Sequence, residues 1–366
     1  MRVPWLFSKY LSRNFILTFL ATLFVLVSLI LLFDIIDLLR RASSKDYVTF
    51  ADVMKLGLMK VPQMLPLILP FAVLLASVIT FLRLSKTNEL VIARSAGLSV
   101  WNFLTPIFIA VFLIGVINVA VLNPFSSAMI HKYQNFEGVT LRKKAGFSWN
   151  EKGLWLREKM GDNSVVIHAD IVKQVGDDLD LTGVLVLLLN EDETLNKQIE
   201  AKKGFLSGYT LVVQDGTSYT PNGEKSENIS MHIPTQLNLE KIMQTFDEPE
   251  EISIWKLPHF IKLLDNAGFS SIRHRIHFYS TLASVFYLIA MVFIAAMFTL
   301  SPNQRQGGIL MKSALAILFG FVLFFVSKLT TALGISGNLP LFLAVLGPSF
   351  IMIFVAASSL LHSEDG

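Results

Sequence analysis

Titratable side chains are scarce in the apolar parts of this chain, so the few that occur there mark where chemistry would have to happen. Asp34 and Asp37 fall toward the end of the first long apolar stretch, with Arg40, Arg41 and Lys45 directly after it, and Lys328 stands toward the end of the fifth. A proton relay or an ion-coupled transporter needs ionisable groups near the middle of a bilayer, and these lie toward the ends. There is no G-x-x-x-x-G-K-[ST] loop to cradle a nucleotide, no H-E-x-x-H pair for zinc and no G-x-S-x-G nucleophile elbow. The seven His are scattered without ligand spacing on one helix. The absence of Cys excludes thiolate metal sites, disulfides and cysteine nucleophiles. The chain is expected to be no enzyme, to carry no metal and no cofactor, and to draw any energy for work from another subunit.

The elements that position these residues follow from charge spacing. Residues 14–33, 61–82, 95–130, 276–304, 313–327 and 329–363 contain no Lys, Arg, Asp or Glu. A hydrocarbon core of about 30 Å takes about 20 apolar residues as a helix. Only helices and closed barrels satisfy every backbone polar group there, and these stretches lack the two-residue alternation of barrel strands. Hydrophobic residues make up 53% of the chain and charged residues 16%, where soluble chains are about 45–50% apolar. The expectation is a helical membrane protein of three plus three spans with a β insertion between them. A net charge of +3 gives no case for a nucleic-acid partner. The first apolar stretch is too long for a signal peptide and lacks a small-x-small cleavage site, so it is expected to remain as the first span.

With six spans both termini lie on one side. Short-loop cations there (Arg2, Lys9, Arg13, Arg83, Lys86, Arg94, Arg305, Lys312) outnumber those opposite (Arg40, Arg41, Lys45, Lys55, Lys60, Lys328). The positive-inside rule therefore places the termini in the cytoplasm. The cations at 40–60 on the far side ask for a separate explanation.

The first helix is expected over about Asn14–Leu39, with a break at Ser43-Ser44. The second begins near Val53 and carries Pro62, Pro66 and Pro70, either as ordinary membrane-helix prolines or to shape it around a cavity. The third runs from a Ser99 cap to about Leu122, where Asn123-Pro124 ends or bends it. Residues 135–250 read as β. Ile167, Ala169 and Ile171 alternate onto one face, Leu181–Leu189 reads as buried on both faces, and Asp215-Gly216 and Asn222-Gly223 are hairpin signals. Short strands at this spacing predict an antiparallel sandwich or roll. Asn228-Ile229-Ser230 fits a glycosylation sequon, a tripeptide common by chance. Ile252–Asn266 is expected to be an amphipathic helix on the membrane surface, stopped by Gly268.

Between the second and third spans, Thr87 or Asn88 is suited to cap a short helix, Glu89 to its first turn and Gly97 to its end. Leu90, Val91 and Ile92 are apolar, whereas Glu89 and Arg94 suit solvent or a partner. The segment is either a plain interfacial helix or a coupling helix that docks in an ATPase and moves two spans together.

Several stretches carry a resemblance. Glu89-Leu90-Val91 precedes Ser95-Ala96-Gly97, Gly153-Leu154-Trp155 opens the β region, and Thr22-Leu23-Phe24 through Ser28 is followed by Asp37 and Arg40-Arg41. In this order and layout, essentially the whole chain resembles the LptF/LptG permeases of bacterial lipopolysaccharide export, with the LptG branch the nearer. The resemblance implies a permease subunit that extracts lipopolysaccharide from the outer leaflet of the inner membrane and passes it to a periplasmic bridge. It implies as partners a paralogous permease, LptF (or LptG), an LptB ATPase dimer and LptC, with lipopolysaccharide and membrane lipids as ligands. Residues 1–130 would hold three spans with the coupling helix at about 85–97. Residues 131–251 would be a periplasmic β-jellyroll-like domain, and 252–366 an interfacial helix and three further spans. The alternatives are a permease for another lipid or lipoprotein, or a membrane-anchored scaffold or sensor.

The resemblance also gives the far-side cations a role. Arg40, Arg41 and Lys45 would bind lipid A phosphates at the cavity rim through charge-assisted bonds, and His131 and Lys132 stand where relatives carry arginine. The local alternative for Arg40 and Arg41 is pairing with Asp37 at three and four residues' distance, worth about 0.2–0.5 kcal/mol. Asp34 departs from the lysine of relatives, and Gln63 from a basic residue. Asp34 would repel phosphate, so that either the lipid A has fewer or modified phosphates, or the charge load sits elsewhere on the rim, or Asp34 pairs with a basic group from LptC or LptF. Glu89, Leu90, Arg94 and Gly97 would form the ATPase-coupling surface.

Overall fold

A computed structural model describes residues 5–43, 48–89, 92, 95, 99–140, 147–150, 153–160, 163–175, 178–190, 192, 194–221, 223–235, 248–266, 269–300 and 308–365. The chain divides into two compact units. The first comprises Met1–Leu141, Pro249–Pro258 and Ile272–Gly366, and the second Arg142–Glu248 with His259–Ser271.

The first unit is helical: α1 (Trp5–Ala42), α2 (Phe50–Lys86), α3 (Val100–Ile117), a π-helical turn (Asn118–Leu122) and α4 (Asn123–Thr140) before the second unit. After it come α6 (Ile272–Thr299), α7 (Ile309–Ile335) and α8 (Leu341–Asp365), the short helix α5 (Leu257–Asn266) belonging chiefly with the strands. Six helices among the described residues are long and apolar enough to cross a membrane. The span boundaries are wider than charge spacing places them. Thr49 and Asp52 form a reciprocal capping box that starts α2 before Val53. Lys328 lies inside α7, whose turn into α8 comes later, at Gly337 in the left-handed region (φ 77°). Asn123-Pro124 ends no helix. The π turn takes up the bonds that Pro124 cannot make, and the chain continues helical to Thr140.

The core of this unit lies among α1, α2, α3 and α6, where Phe15, Leu74, Phe81, Phe103, Ile107, Leu288 and Met291 are buried together. Small residues set the approach of α3 to α6. A Cβ on Gly115 would stand 3.1 Å from the Cα of Val285, the close packing through small residues that drives association in lipid. A second cluster, Leu38, Val53, Leu56 and Tyr133, ties the ends of α1 and α2 to α4.

The second unit is a seven-stranded antiparallel sheet in sequence order: β1 (Phe147–Asn150), β2 (Gly153–Met160), β3 (Asn163–Val175), β4 (Asp178–Leu189), β5 (Leu195–Ser207), β6 (Thr210–Tyr219) and β7 (Lys225–Pro234). Its alternation slips at β3. Val165, Ile167 and Ala169 are buried, but Ile171 is 52% exposed and Val172 takes the inner face. Opposite, Gly183 lies in the left-handed region, where a Cβ would collide with the Asp170 carboxylate. Leu181–Leu189 is buried chiefly on the face of Leu181, Val184 and Val186, its other face being only part-covered. Asp215-Gly216 makes no turn. It is a bulge inside β6, with Asp215 at φ 51°. Of the other hairpin pair, Asn222 lies outside the described residues, and Gly223 closes the β6–β7 turn on Thr220.

The amphipathic helix α5 (Leu257–Asn266) covers the sheet. Phe260, Leu264 and Phe269 pack into the core of Ile167, Val186, Ile199 and Val213. Amphipathic periodicity shows that an apolar face will be buried, and here what buries it is the sheet. Gly268 lies outside the described residues.

Candidate functional site

The cationic end of α1 is built by helix periodicity. Asp37 receives Nη2 of Arg40 at 2.7 Å and Nη2 of Arg41 at 2.5 Å, one turn on. Both arginines complement the negative end of the helix dipole. Their side chains remain 81% and 51% exposed, and a guanidinium has five N–H donors, so each keeps donors for another acceptor. Lys45 lies outside the described residues.

Asp34 is turned to a different task. It is paired with Lys60 of α2, their side chains being 11% and 28% exposed, and its second oxygen is buried with no partner among the described residues. The basic group that the sequence reading sought from a partner is supplied within the chain. His131 and Lys132 are exposed on α4, beside Tyr133 of the cluster that joins α1, α2 and α4. Lys55 places its ammonium 4.5 Å from the ring centre of Phe136, a cation–π contact.

At the other end of α2, Thr87 is the helix C-cap rather than the cap of a new helix, and Asn88 stands in the left-handed region (φ 58°). Glu89, Ile92 and Ser95 are helical, with Ile92 N–H bonded to Asn88 O at 3.0 Å. The Glu89 carboxylate accepts from Thr87 Oγ1 at 2.8 Å and from Tyr10 OH of α1 at 3.3 Å. Leu90, Arg94 and Gly97 lie outside the described residues. Ser99 caps α3 through the N–H of Trp101, as its position predicts.

Sequence reasoning missed a pocket of about 330 Å³ in the helical unit, mainly apolar in its wall but carrying several polar side chains. Pro66 and Pro70 of α2, the π turn, α6, α7 and α8 line it, so two of the three prolines stand at an open pocket. His277, Thr281 and Ser284 recur along one face of α6 at helical spacing, which was the available signal. His277 Nδ1 lies 3.7 Å from Glu250 Oε1. Beside the pocket, α4 holds the returning chain: Asn123 Oδ1 accepts Ile254 N–H at 2.8 Å, and Ser127 and Gln134 bond Glu251. Among the described residues no three His, Asp or Glu gather to hold a metal ion.

The model of the family described as lipopolysaccharide export system permease LptF/LptG matches residues 9–362. The lipopolysaccharide export system permease protein LptG of Escherichia coli (strain K12) is 24% identical over 359 residues, 93% of this chain and 94% of that protein. The LptG protein of Haemophilus influenzae is 22% identical over 357 residues, 94% of this chain and 95% of its own length. With three candidate spans before an antiparallel sheet domain in the sequence and three after it, and a family match over residues 9–362, this chain is a multi-pass membrane protein that belongs to the LptF/LptG permeases of the lipopolysaccharide export system.

Proposed function

We propose that the chain is the non-catalytic permease half of an ATP-driven lipopolysaccharide extractor in the bacterial inner membrane, with cytoplasmic termini and a periplasmic β domain. It draws lipopolysaccharide from the outer leaflet and passes it onward through that domain. A paralogous permease completes the cavity, LptC attends its gate, and an LptB dimer hydrolyses ATP against the segment that begins at Glu89. The least buried spans support a partnered cavity: only 11% of the most apolar part of α1 and 17% of that of α7 is buried within the chain. Their remaining apolar faces suit a paralogue and acyl chains alike.

The observation that carries the reading is the exposed pair Arg40 and Arg41, whose shared Asp37 leaves donors and net positive charge for a lipid A phosphate. Reversing both to Glu should reduce copurified lipopolysaccharide by well over tenfold, since each charge-assisted bond is worth about 1.5–3 kcal/mol. Reversing Arg2 and Lys9, near the start of the sequence, should change little. Photo-crosslinkers at 40, 41 and 132 should label the lipid. Equal retention in the double reversal would mean that these cations only anchor the helix at the interface.

A further inference from the structure

The pocket of the helical unit has no part in the reading above, and the polar groups set in its largely apolar wall state what it would hold. A space of about 330 Å³ among membrane helices is large enough for a small polar group together with water. In its wall, the side-chain amide oxygen of Asn118, a residue 4% exposed, and the hydroxyl of Tyr287 are both buried without a hydrogen-bond partner among the described residues. Such groups are costly in lipid unless something polar answers them. The pocket also carries one charge of each sign. Lys328 rests its ammonium 5.8 Å from the ring centre of Phe324, and no carboxylate reaches it among the described residues. Glu250, its side chain 53% exposed, stands across at His277.

We propose that this pocket binds an aminoalkyl phosphate group of the phosphoethanolamine kind. Its phosphate takes Lys328 and the Tyr287 hydroxyl as donors, and its ammonium takes Glu250 and the Asn118 carbonyl as acceptors. A neutral sugar leaves both charges unanswered. A purely anionic headgroup answers Lys328 but meets Glu250 as a like charge, so the pairing selects a zwitterion. Two sources present this chemistry: a phospholipid of the surrounding leaflet, or a phosphoethanolamine substituent on the transported lipid. The site is independent of Arg40 and Arg41.

The full chain, purified in nanodiscs of equal phosphatidylethanolamine and phosphatidylglycerol and re-extracted in mild detergent, tests this by mass spectrometry of the retained lipid. Phosphatidylethanolamine should be enriched about tenfold, the factor carried by one charge-assisted contact. Lys328→Gln should abolish the enrichment, and the conservative Tyr287→Phe should lower it several-fold in a chain that still folds. The Arg40→Glu/Arg41→Glu variant should keep it. In phosphatidylglycerol nanodiscs, enrichment of lipid A bearing phosphoethanolamine over unmodified lipid A would assign the transported lipid as a source, and no preference would leave the leaflet phospholipid. Equal retention of the two phospholipids by the natural chain, or enrichment unchanged in both Lys328→Gln and Tyr287→Phe, would overturn the proposal.

Discussion

Asp34 of α1 and Lys60 of α2 form an ion pair between two membrane helices, the carboxylate almost wholly withdrawn from the surface. In that setting each charge is tolerable only because of the other. Asp34→Asn should therefore destabilise the chain by about 3–5 kcal/mol by leaving the Lys60 ammonium unpaired. The apolar double replacement Asp34→Leu/Lys60→Met should recover most of that loss. Thermal unfolding in detergent, followed by circular dichroism, measures both.

The bond from Ile254 N–H to Asn123 Oδ1 is buried, and among the described residues no other acceptor meets that N–H. Asn123→Ala should cost about 1–3 kcal/mol, the penalty for a stranded donor. The effect should be local, with faster protease cleavage within 248–256 and little change in the sheet.

Gly115 sets the distance between α3 and α6. Gly115→Val would put methyl groups where Val285 backbone already stands, with overpacking strain of about 1–3 kcal/mol or more. Lower recovery of monodisperse protein is expected, and Val285→Ala should restore it only in part, because the obstructing Cα remains.

The sheet domain should need α5 to fold alone. A fragment of residues 142–271 is expected to be a more stable β-rich monomer than one ending at 248, because Phe260, Leu264 and Phe269 close the sheet core. Burying each of these large side chains is worth about 1.5–3 kcal/mol. Urea titrations of the two fragments would show the difference in midpoint, and equal midpoints would refute the role of α5.

The chain alone should hydrolyse no ATP, and Glu89→Ala should weaken association with a partner ATPase without preventing membrane insertion. Tyr10→Phe removes only one of the two bonds to the Glu89 carboxylate, so its effect should be smaller. Pull-down of the ATPase and phosphate release by the reconstituted complex separate these outcomes.

The six spans were legible because charges cannot be left among lipid tails, and the sheet because side chains alternate. What the sequence concealed depends on contacts distant in the chain. Lys60 answers Asp34 from the next helix, a pairing that no local pattern announces. Asp215-Gly216 reads as a turn, yet β7 accepts it as a bulge. Asn123-Pro124 reads as a break, but a π turn reroutes the bonds and α4 runs on through polar residues that hydropathy passes over. The capping box at Thr49 and Asp52 was within reach of local rules, and the pull of the apolar stretch farther on obscured it.

The grip of α4 on Glu251 and Ile254 has a mechanical consequence. One helix leads the chain toward the sheet domain and also clasps it where it comes back. Outgoing and returning strands of the chain are thus moored to a single shaft. A twist of α4 would carry Glu251 and Ile254 round with it, so the place where the chain leaves the helical unit and the place where it re-enters turn together rather than independently.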